Sequence, residues 1–170
     1  MSTLKKAELI CYENRSLSIK FMFNPTEIKF TRQLNYNPSE GARTDQGLNK
    51  VNFANPAPCT LDISNIIIDT YEKGSSVTPH IQKFLKSVRF VKGLQRPPIY
   101  LFTWGKQTYL RCFVQNLGYS LTMFLPDGTP VRATVNLSLK EIDLRNTGSI
   151  GTPAVEAAMR IANARPAQSS

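Results

Sequence analysis

Cysteine and histidine side chains are the residues of this chain best suited to nucleophilic or metal chemistry, and they are few. The cysteines are Cys11, Cys59 and Cys112, and the one histidine is His80. Structural zinc needs four clustered ligands, whereas these cysteines are far apart and show no CxxC spacing. A Cys–His nucleophile would have to use His80, which has no acidic neighbour in sequence to orient it. We therefore expect reduced, mostly buried thiols, and neither a metal nor a cofactor.

Carboxylates and glycines give no stronger signal for catalysis. Asp69 and Glu72 could form an acid–base pair, but their position in a turn before a predicted helix is more typical of turn and capping residues. Gly47, Gly74 and Gly105 stand alone, so no phosphate-binding loop is present, and no G-x-S-x-G nucleophile elbow occurs. The sequence gives no support for an enzyme.

Composition describes a globular chain. It has 170 residues, of which 41% are hydrophobic and 19% charged, enough for one domain with a sizeable core. No apolar run is long enough to span a bilayer or to act as a signal peptide, so we expect a cytoplasmic product. The net charge of +9 permits nucleic-acid binding, but the basic residues form no continuous run, which favours a scattered basic surface.

The clearest structural signal is a hairpin over Tyr119–Asp143. Apolar and polar residues alternate on both sides of a turn at residues 126–130, and this period of two predicts strands with one buried and one solvated face. In the turn, Asp127 can bond its own backbone and Gly128 tolerates positive φ. The positions expected to face the core are Tyr119, Leu121, Met123, Val131, Ala133, Val135, Leu137 and Leu139.

Other segments complete a mainly β domain over residues 1–145. Strands are predicted at residues 4–12, 18–23, 27–36, 59–70, 99–104 and 109–119, with Asn24-Pro25 ending the second. One helix is predicted over residues 76–93, with Thr78 as N-cap, Pro79 in the first turn and Gly93 as the stop. Its core-facing stripe is Ile81, Phe84, Leu85, Val88 and Val91. An Ala-rich tail, residues 146–170, follows, and residues 154–164 could form a short helix that frays or orders against a partner.

Three features are candidates for contact with another subunit. Residues 37–58 read as a long connection without secondary structure, either a mobile surface loop or a segment anchored on a neighbour through Val51 and Phe53. The run Ile66-Ile67-Ile68 cannot face one core, so it needs cover on both sides, from this chain or from another subunit. Arg32 falls on the apolar side of its predicted strand, either at a strand end or facing a neighbour.

Four segments, in order, resemble the tail-tube-type proteins of contractile injection systems, the phage-tail-like machines that drive a tube and spike through a membrane. They are the FNP turn at Phe23–Glu27, IIIDTYEKG at Ile66–Gly74, PPIYLFTWG at Pro97–Gly105, and the hairpin. Together they span roughly Ser16 to Asp143. The sequence is most similar to the baseplate tube-initiator or spike-adaptor members, although the LysM domain of their longer relatives is not recognised here.

The resemblance implies a fold and a mechanical role. The fold would be a two-sheet sandwich or partly closed antiparallel β-barrel of the tail-tube type with one packed helix. It would assemble as a homo-hexameric ring between the inner-tube protein and a trimeric spike, touching other baseplate subunits and templating the tube. A main inner-tube ring and a cap-side adaptor ring are alternatives within the family.

A β-barrel module that binds single-stranded nucleic acid is the alternative from another class. The net charge and the aromatic residues Phe102, Trp104, Tyr109 and Phe113 suggest it. Stacking platforms need exposed aromatic residues among basic ones, and only Lys106 and Arg111 lie close by. We therefore expect neither nucleic acid nor a small-molecule substrate as a partner.

Overall fold

The computed structural model of the protein describes residues 3–43 and 49–143, with the backbone alone at residues 37–43 and 49–55. The predicted tail, residues 146–170, and Gly47 lie outside this part of the chain. The described residues include one helix, α1 (Thr78–Ser87), and two short 3₁₀ turns, Arg15–Leu17 and Tyr71–Lys73. The strands are β1 (Ala7–Cys11), β2 (Ile19–Lys20), β3 (Lys29–Thr31), β4 (Leu34–Arg43), β5 (Asn49–Pro56), β6 (Thr60–Asp69), β7 (Tyr100–Trp104), β8 (Gln107–Phe124) and β9 (Pro130–Glu141).

Seven of these strands form one antiparallel sheet, in the order β2-β1-β7-β8-β9-β6-β3. The ring of Phe30 on the edge strand β3 lies 6.0 Å from the ring of Tyr109 on β8, although these strands are three positions apart in the sheet. In a flat sheet, that spacing would be about 14 Å. The sheet is therefore curled into a half-barrel, which confirms the mainly β, barrel-like prediction.

The concave face of the sheet carries the core. On β9 the five apolar positions of the alternating pattern, Val131 to Leu139, are all buried. Helix α1 packs over this face, and the ring of Phe84 lies 6.2 Å from that of Phe21, which lies 6.2 Å from that of Phe102. The predicted packing of one helix on the sheet is thus present.

The helix is shorter than predicted, and its cap differs. Val77, not Thr78, is the N-cap, and it is buried and makes no side-chain capping bond. The Ser76 hydroxyl instead accepts a hydrogen bond from the Thr78 backbone N–H. The helix ends at Ser87, whose hydroxyl donates to the carbonyl of Phe84 at 2.6 Å. Val88, Val91 and Gly93 therefore lie beyond the helix, although Ile81 and Phe84 face the core as predicted.

The strand predicted over residues 27–36 is interrupted. β3 ends at Thr31 and β4 begins at Leu34, so Arg32 lies between two strands and is exposed. Its guanidinium approaches the Glu141 carboxylate at 3.8 Å. Leu34 and Tyr36 are exposed because β4 leaves the main sheet at this point.

The segment predicted to lack secondary structure is instead a two-stranded ribbon. β4 and β5 pair antiparallel outside the main sheet, and residues 44–48 between them lie outside the described chain. A ladder of backbone hydrogen bonds does not require apolar side chains, so the polar, Gly-rich composition misled the prediction.

Candidate subunit interface

The second half of β8 has an unpaired edge. β7 pairs with β8 only as far as Cys112, and from Phe113 to Phe124 β9 is the sole neighbouring strand among the described residues. An unpaired edge presents a row of free backbone N–H and C=O groups to any strand that can dock there. This twelve-residue edge is a candidate surface for contact with another chain.

Apolar side chains beside this edge are exposed, contrary to the prediction. Tyr119 pairs with Val135 and Leu121 with Ala133, so both point to the face that holds the core. Yet Tyr119 is 46% and Leu121 39% exposed, while their partners are fully buried. Met123 is half-buried, and Phe124 at the strand end is also exposed. We call Tyr119, Leu121 and Phe124 the edge strip.

The isoleucine run on β6 also has an uncovered side. Ile66 and Ile68 are buried, but Ile67 on the opposite face is 44% exposed. β3 covers only Thr60–Asp62, so the end of β6 pairs with β9 alone. The described part of this chain therefore leaves Ile67 partly solvated, and cover of its side by another subunit stays a prediction.

The ribbon contains two of the residues proposed as anchors. In its ladder, Val51 stands opposite Pro38 and Phe53 opposite Tyr36. Their side chains lie outside the described structure, so their role in contact with a neighbour stays a prediction. At the base of the ribbon, Leu34 and Tyr36 add two exposed apolar side chains.

The FNP turn follows β2, and its Asn24 side chain bonds the backbone at the start of β1. The Asn24 side-chain carbonyl accepts from the Ala7 backbone N–H, and its amide donates to the Lys5 carbonyl, both at 2.9 Å. Pro25 is buried beside it, whereas Phe23 is exposed, with the Lys6 ammonium 5.6 Å from its ring centre. Asn24 therefore fixes the backbone and leaves Phe23 at the surface.

The DTYEKG turn gives the acidic residues a structural role. Asp69 accepts the Tyr71 backbone N–H at 2.9 Å and pairs with the Arg132 guanidinium at 2.6 Å. The bond from Tyr71, and then Arg132, hold the pKa of Asp69 below its ordinary value. An ionised, paired carboxylate of this kind is a poor general acid.

The same turn and the FNP turn meet at the surface. Together with Arg132 they enclose a cleft of about 400 Å³, lined by Phe23, Asp69, Thr70, Tyr71, Glu72, Lys73 and Arg132. Two segments that carry the family resemblance are thus neighbours in space.

The hairpin turn has the geometry that its residues allow. Gly128 has φ +86°, and its N–H donates to the carbonyl of Leu125 at 2.8 Å. The Asp127 carboxylate accepts from the Thr129 N–H at 2.9 Å, and this bond is the main cause that lowers its pKa. A left-handed residue here suits glycine because it has no Cβ.

The candidates for chemistry are not brought together. All three cysteines are buried and free, as predicted, and burial raises the pKa of Cys112 to about 12 and contributes most to raising that of Cys11 to about 11. Burial, then the charges of Lys83 and Lys73, lower the pKa of His80. No group of three potential metal ligands exists in the described ranges.

The aromatic residues considered for nucleic acid form no exposed platform. Phe102 is fully buried, Phe113 and Trp104 are half-buried, and the Trp104 indole N–H donates to the Lys5 carbonyl. Only Tyr109 among them is exposed, and its ring packs on those of Phe30 and Phe102. Stacking of successive bases requires several free ring faces.

Sequence reasoning placed two residues of the edge strip, Tyr119 and Leu121, in the core. Its alternation predicted the right face, but periodicity carries no information on how far the neighbouring strand extends. One signal was present: the run from Gln107 to Phe124 is far longer than β7, which must pair with it. The excess length has no partner within the described chain.

An antiparallel half-barrel with one helix, a projecting ribbon and an unpaired apolar edge is the construction of a subunit that assembles with others. Comparison with known families agrees, because the model of the family described as contractile injection system tube protein matches residues 3–148. The chain therefore belongs to this family and is a structural component of a phage-tail-like particle. No curated protein matches the chain significantly.

No helix within the described ranges is long and apolar enough to cross a membrane.

Proposed function

We propose that this protein forms the ring that joins the spike to the inner tube of a contractile injection system and templates tube assembly. The observation that supports this role most directly is the unpaired edge of β8 with its exposed apolar strip. Such an edge invites uncontrolled pairing unless a neighbouring subunit covers it. A ring provides that cover at every subunit.

The ring is a homohexamer. Subunits in a ring meet through two different surfaces, and the rotation between them must close. The edge strip and the β4–β5 ribbon provide two surfaces at different places on the subunit, as head-to-tail contact requires. One side of the ring contacts the trimeric spike, the other contacts the inner-tube protein, and the remaining surface meets other baseplate subunits.

Templating follows from the difficulty of nucleation. A first tube ring has no surface below it and forms slowly, whereas a hexamer fixed on the spike offers a complementary six-fold surface. Elongation then requires only the tube protein. A catalytic activity has no part in this role.

Deletion of the gene tests this role. Electron microscopy of the lysate should show spike or baseplate fragments without tubes or extended sheaths. Native mass measurement on assembled particles from the parent strain should give six copies of this chain. Full-length sheathed particles in the deletion strain would contradict the role, and another cyclic number would contradict the hexamer.

The main inner-tube protein is a second candidate, because the matching family is described as a tube protein. A cap-side adaptor would share the copy number of the initiator but lie at the other end of the tube. Quantitative mass spectrometry distinguishes the initiator from the main tube protein, since a main tube protein is present in many rings per particle. Immunogold labelling separates the two ends.

The ribbon gives a test at the level of residues. Replacing residues 37–58 with a short Gly-Ser linker should leave the half-barrel folded and prevent assembly, as should Val51→Asp or Phe53→Asp, because burying a charge in a contact is costly. Thr108→Asp, at an exposed position in the half of β8 that pairs with β7, is the control for a charge outside both the ribbon and the unpaired edge. Normal particles from the ribbon variants would show that the ribbon is passive.

A further inference from the structure

The positive charge of this protein is concentrated in one segment. Residues 73–96 contain six of its 21 lysines and arginines and none of its 12 acidic residues, so they account for six of the nine net charges. Arg96 is engaged with the carboxylate of Glu13. The other five cations form no ion pair with the described residues, and they are Lys73, Lys83, Lys86, Arg89 and Lys92.

The fold places two of these cations on the exposed side of α1. The helix buries Ile81, Phe84 and Ser87 against the sheet and exposes Lys83 and Lys86, which are neighbours on a helical surface because they are three residues apart. Arg89 follows the helix and is also exposed, and its backbone N–H donates to the carbonyl of Lys86 at 3.3 Å. Three exposed cations therefore follow one another along the helix and just beyond its end.

The start of this surface is extended by the turn before the helix. Lys73 and Lys83 both lie close enough to His80 to act on its pKa, although ten residues separate them in sequence. The cations thus run from the DTYEKG turn, along α1, into the segment that follows it.

An apolar side chain protrudes among them. Phe90, next to Arg89, is 72% exposed, the highest fraction among the large hydrophobic side chains that the structure describes. Exposed aromatic residues ringed by charge are typical of contact sites, where the ring is the anchor and the charges select the partner. We name Lys73, Lys83, Lys86, Arg89, Phe90 and Lys92 the cationic face.

We propose that the cationic face docks an acidic, partly apolar polypeptide segment of another protein. Charge complementarity requires a negatively charged segment, and Phe90 requires an apolar contact within that segment. The segment would lie across the solvent side of α1, opposite the sheet, so docking leaves the core undisturbed. This partner is additional to the contacts made by the edge strip and the ribbon.

The composition of the face favours a polypeptide over nucleic acid. One exposed ring cannot stack the successive bases of a single strand. A single aromatic anchor among cations instead fits one apolar contact within an acidic polypeptide segment.

Binding of two synthetic peptides to the full chain tests the proposal. Both have twenty residues, a fluorescein label and equal numbers of glutamates, with serine in one and leucine in the other at the remaining positions. Fluorescence anisotropy at 50 mM salt should show binding of both, tighter for the leucine peptide. Raising the salt to 200 mM should weaken binding several-fold, because the Debye length shortens.

Matched variants locate the site. The double variant Lys83→Glu with Lys86→Glu should bind both peptides at least tenfold more weakly. Lys29→Glu with Lys106→Glu makes the same change of net charge at two exposed lysines elsewhere and should change the affinity less than twofold. Phe90→Ser should weaken the leucine peptide only. Circular dichroism and melting temperature check that each variant is folded.

Three results would overturn the proposal. Equal weakening by both double variants would show a response to net charge alone, and absence of peptide binding would remove the site. Tighter binding of a twenty-nucleotide single-stranded DNA, or of phosphatidylserine-containing vesicles, through Lys83 and Lys86 would assign the face to another class of partner. These readouts use the isolated chain, so they are independent of particle formation in the deletion strain.

Discussion

β9 and the second half of β8 carry the same alternating pattern but have different surroundings. β9 lies between β8 and β6, and every apolar residue of its inner face is buried. Within the described chain, residues 113–124 of β8 pair with β9 alone, and Tyr119 and Leu121, which point to the same face, are 46% and 39% exposed. The difference arises from the extent of the neighbouring strand, because alternation determines which face a side chain joins and the surrounding elements determine whether it is covered.

The comparison also indicates where assembly can act. A strand between two neighbours already has its backbone hydrogen bonds and its apolar burial, whereas an apolar edge gains both when another chain docks. The folding core and the proposed assembly surface are thus continuous on one face of one sheet, and they differ in whether a neighbouring strand is present among the described residues.

The same substitution at two leucines gives the largest expected effect. Leu139→Ala on β9 removes a fully buried side chain and should lower the free energy of unfolding by about 2–5 kcal/mol, through lost burial and a cavity. Leu121→Ala on β8 should lower it by no more than about 1 kcal/mol, because this side chain is already 39% exposed and has less burial to lose. Urea denaturation of both variants measures the difference.

Leu121 should matter more for particle assembly than for the stability of the isolated chain. Leu121→Asp should leave the isolated chain folded but prevent particle formation, since it would place a charge in a buried contact. Equal losses of stability from the two alanine variants would show that the edge strip belongs to the core after all.

The sequence predicted faces and turns better than it predicted coverage. The inner face of β9, the core side of α1 and the left-handed Gly128 all depend on local periodicity or on backbone preference, and the structure contains them. The exposure of Leu121 and Ile67 depends on where β7 and β3 stop, and the β4–β5 ribbon depends on backbone pairing. Those properties depend on contacts between segments that are distant in sequence, so a local pattern of residues cannot predict them.

Thiol reactivity compares the two halves of β8 directly. Cys112 lies in the paired half, and burial raises its pKa to about 12; the pKa of Cys11 is raised to about 11, mainly by burial. A thiolate is the reactive species, and the third thiol, Cys59, is fully buried, so at pH 8 the native chain should show no rapid reaction with a disulfide reagent. Leu121→Cys should add one thiol that reacts at least about a hundredfold faster, since each pKa unit is a factor of ten in thiolate at this pH.

The same pKa shifts define an alkaline limit to stability. Both thiols ionise at higher pH in the folded chain than in the unfolded one. Their contribution to folding stability is therefore complete below the ordinary thiol pKa and is lost as pH rises through about 11 and 12.

The thiol experiment has its own control. In denaturant, the wild type should expose three reactive thiols and the Leu121→Cys variant four. Rapid reaction of a native thiol at pH 8 would show that the paired half of β8 opens.

Two glycines of the hairpin give the smallest expected effect and separate backbone strain from packing. Gly128 in the turn has φ +86°, whereas Gly118 in the free half of β8 does not adopt positive φ, and a Cβ at either position would meet no atom within 4 Å. Crowding is therefore absent at both positions, and only the backbone conformation differs.

Gly128→Val should destabilise the chain by about 1–2 kcal/mol, the usual cost of a left-handed conformation for an L-residue. Gly118→Val should be neutral or slightly stabilising, because valine restricts the unfolded chain and favours a strand. Thermal melts of the two variants under identical conditions measure this difference. A loss at Gly118 as large as that at Gly128 would mean that the free half of β8 is packed in solution, and the contrast between β8 and β9 would then no longer hold.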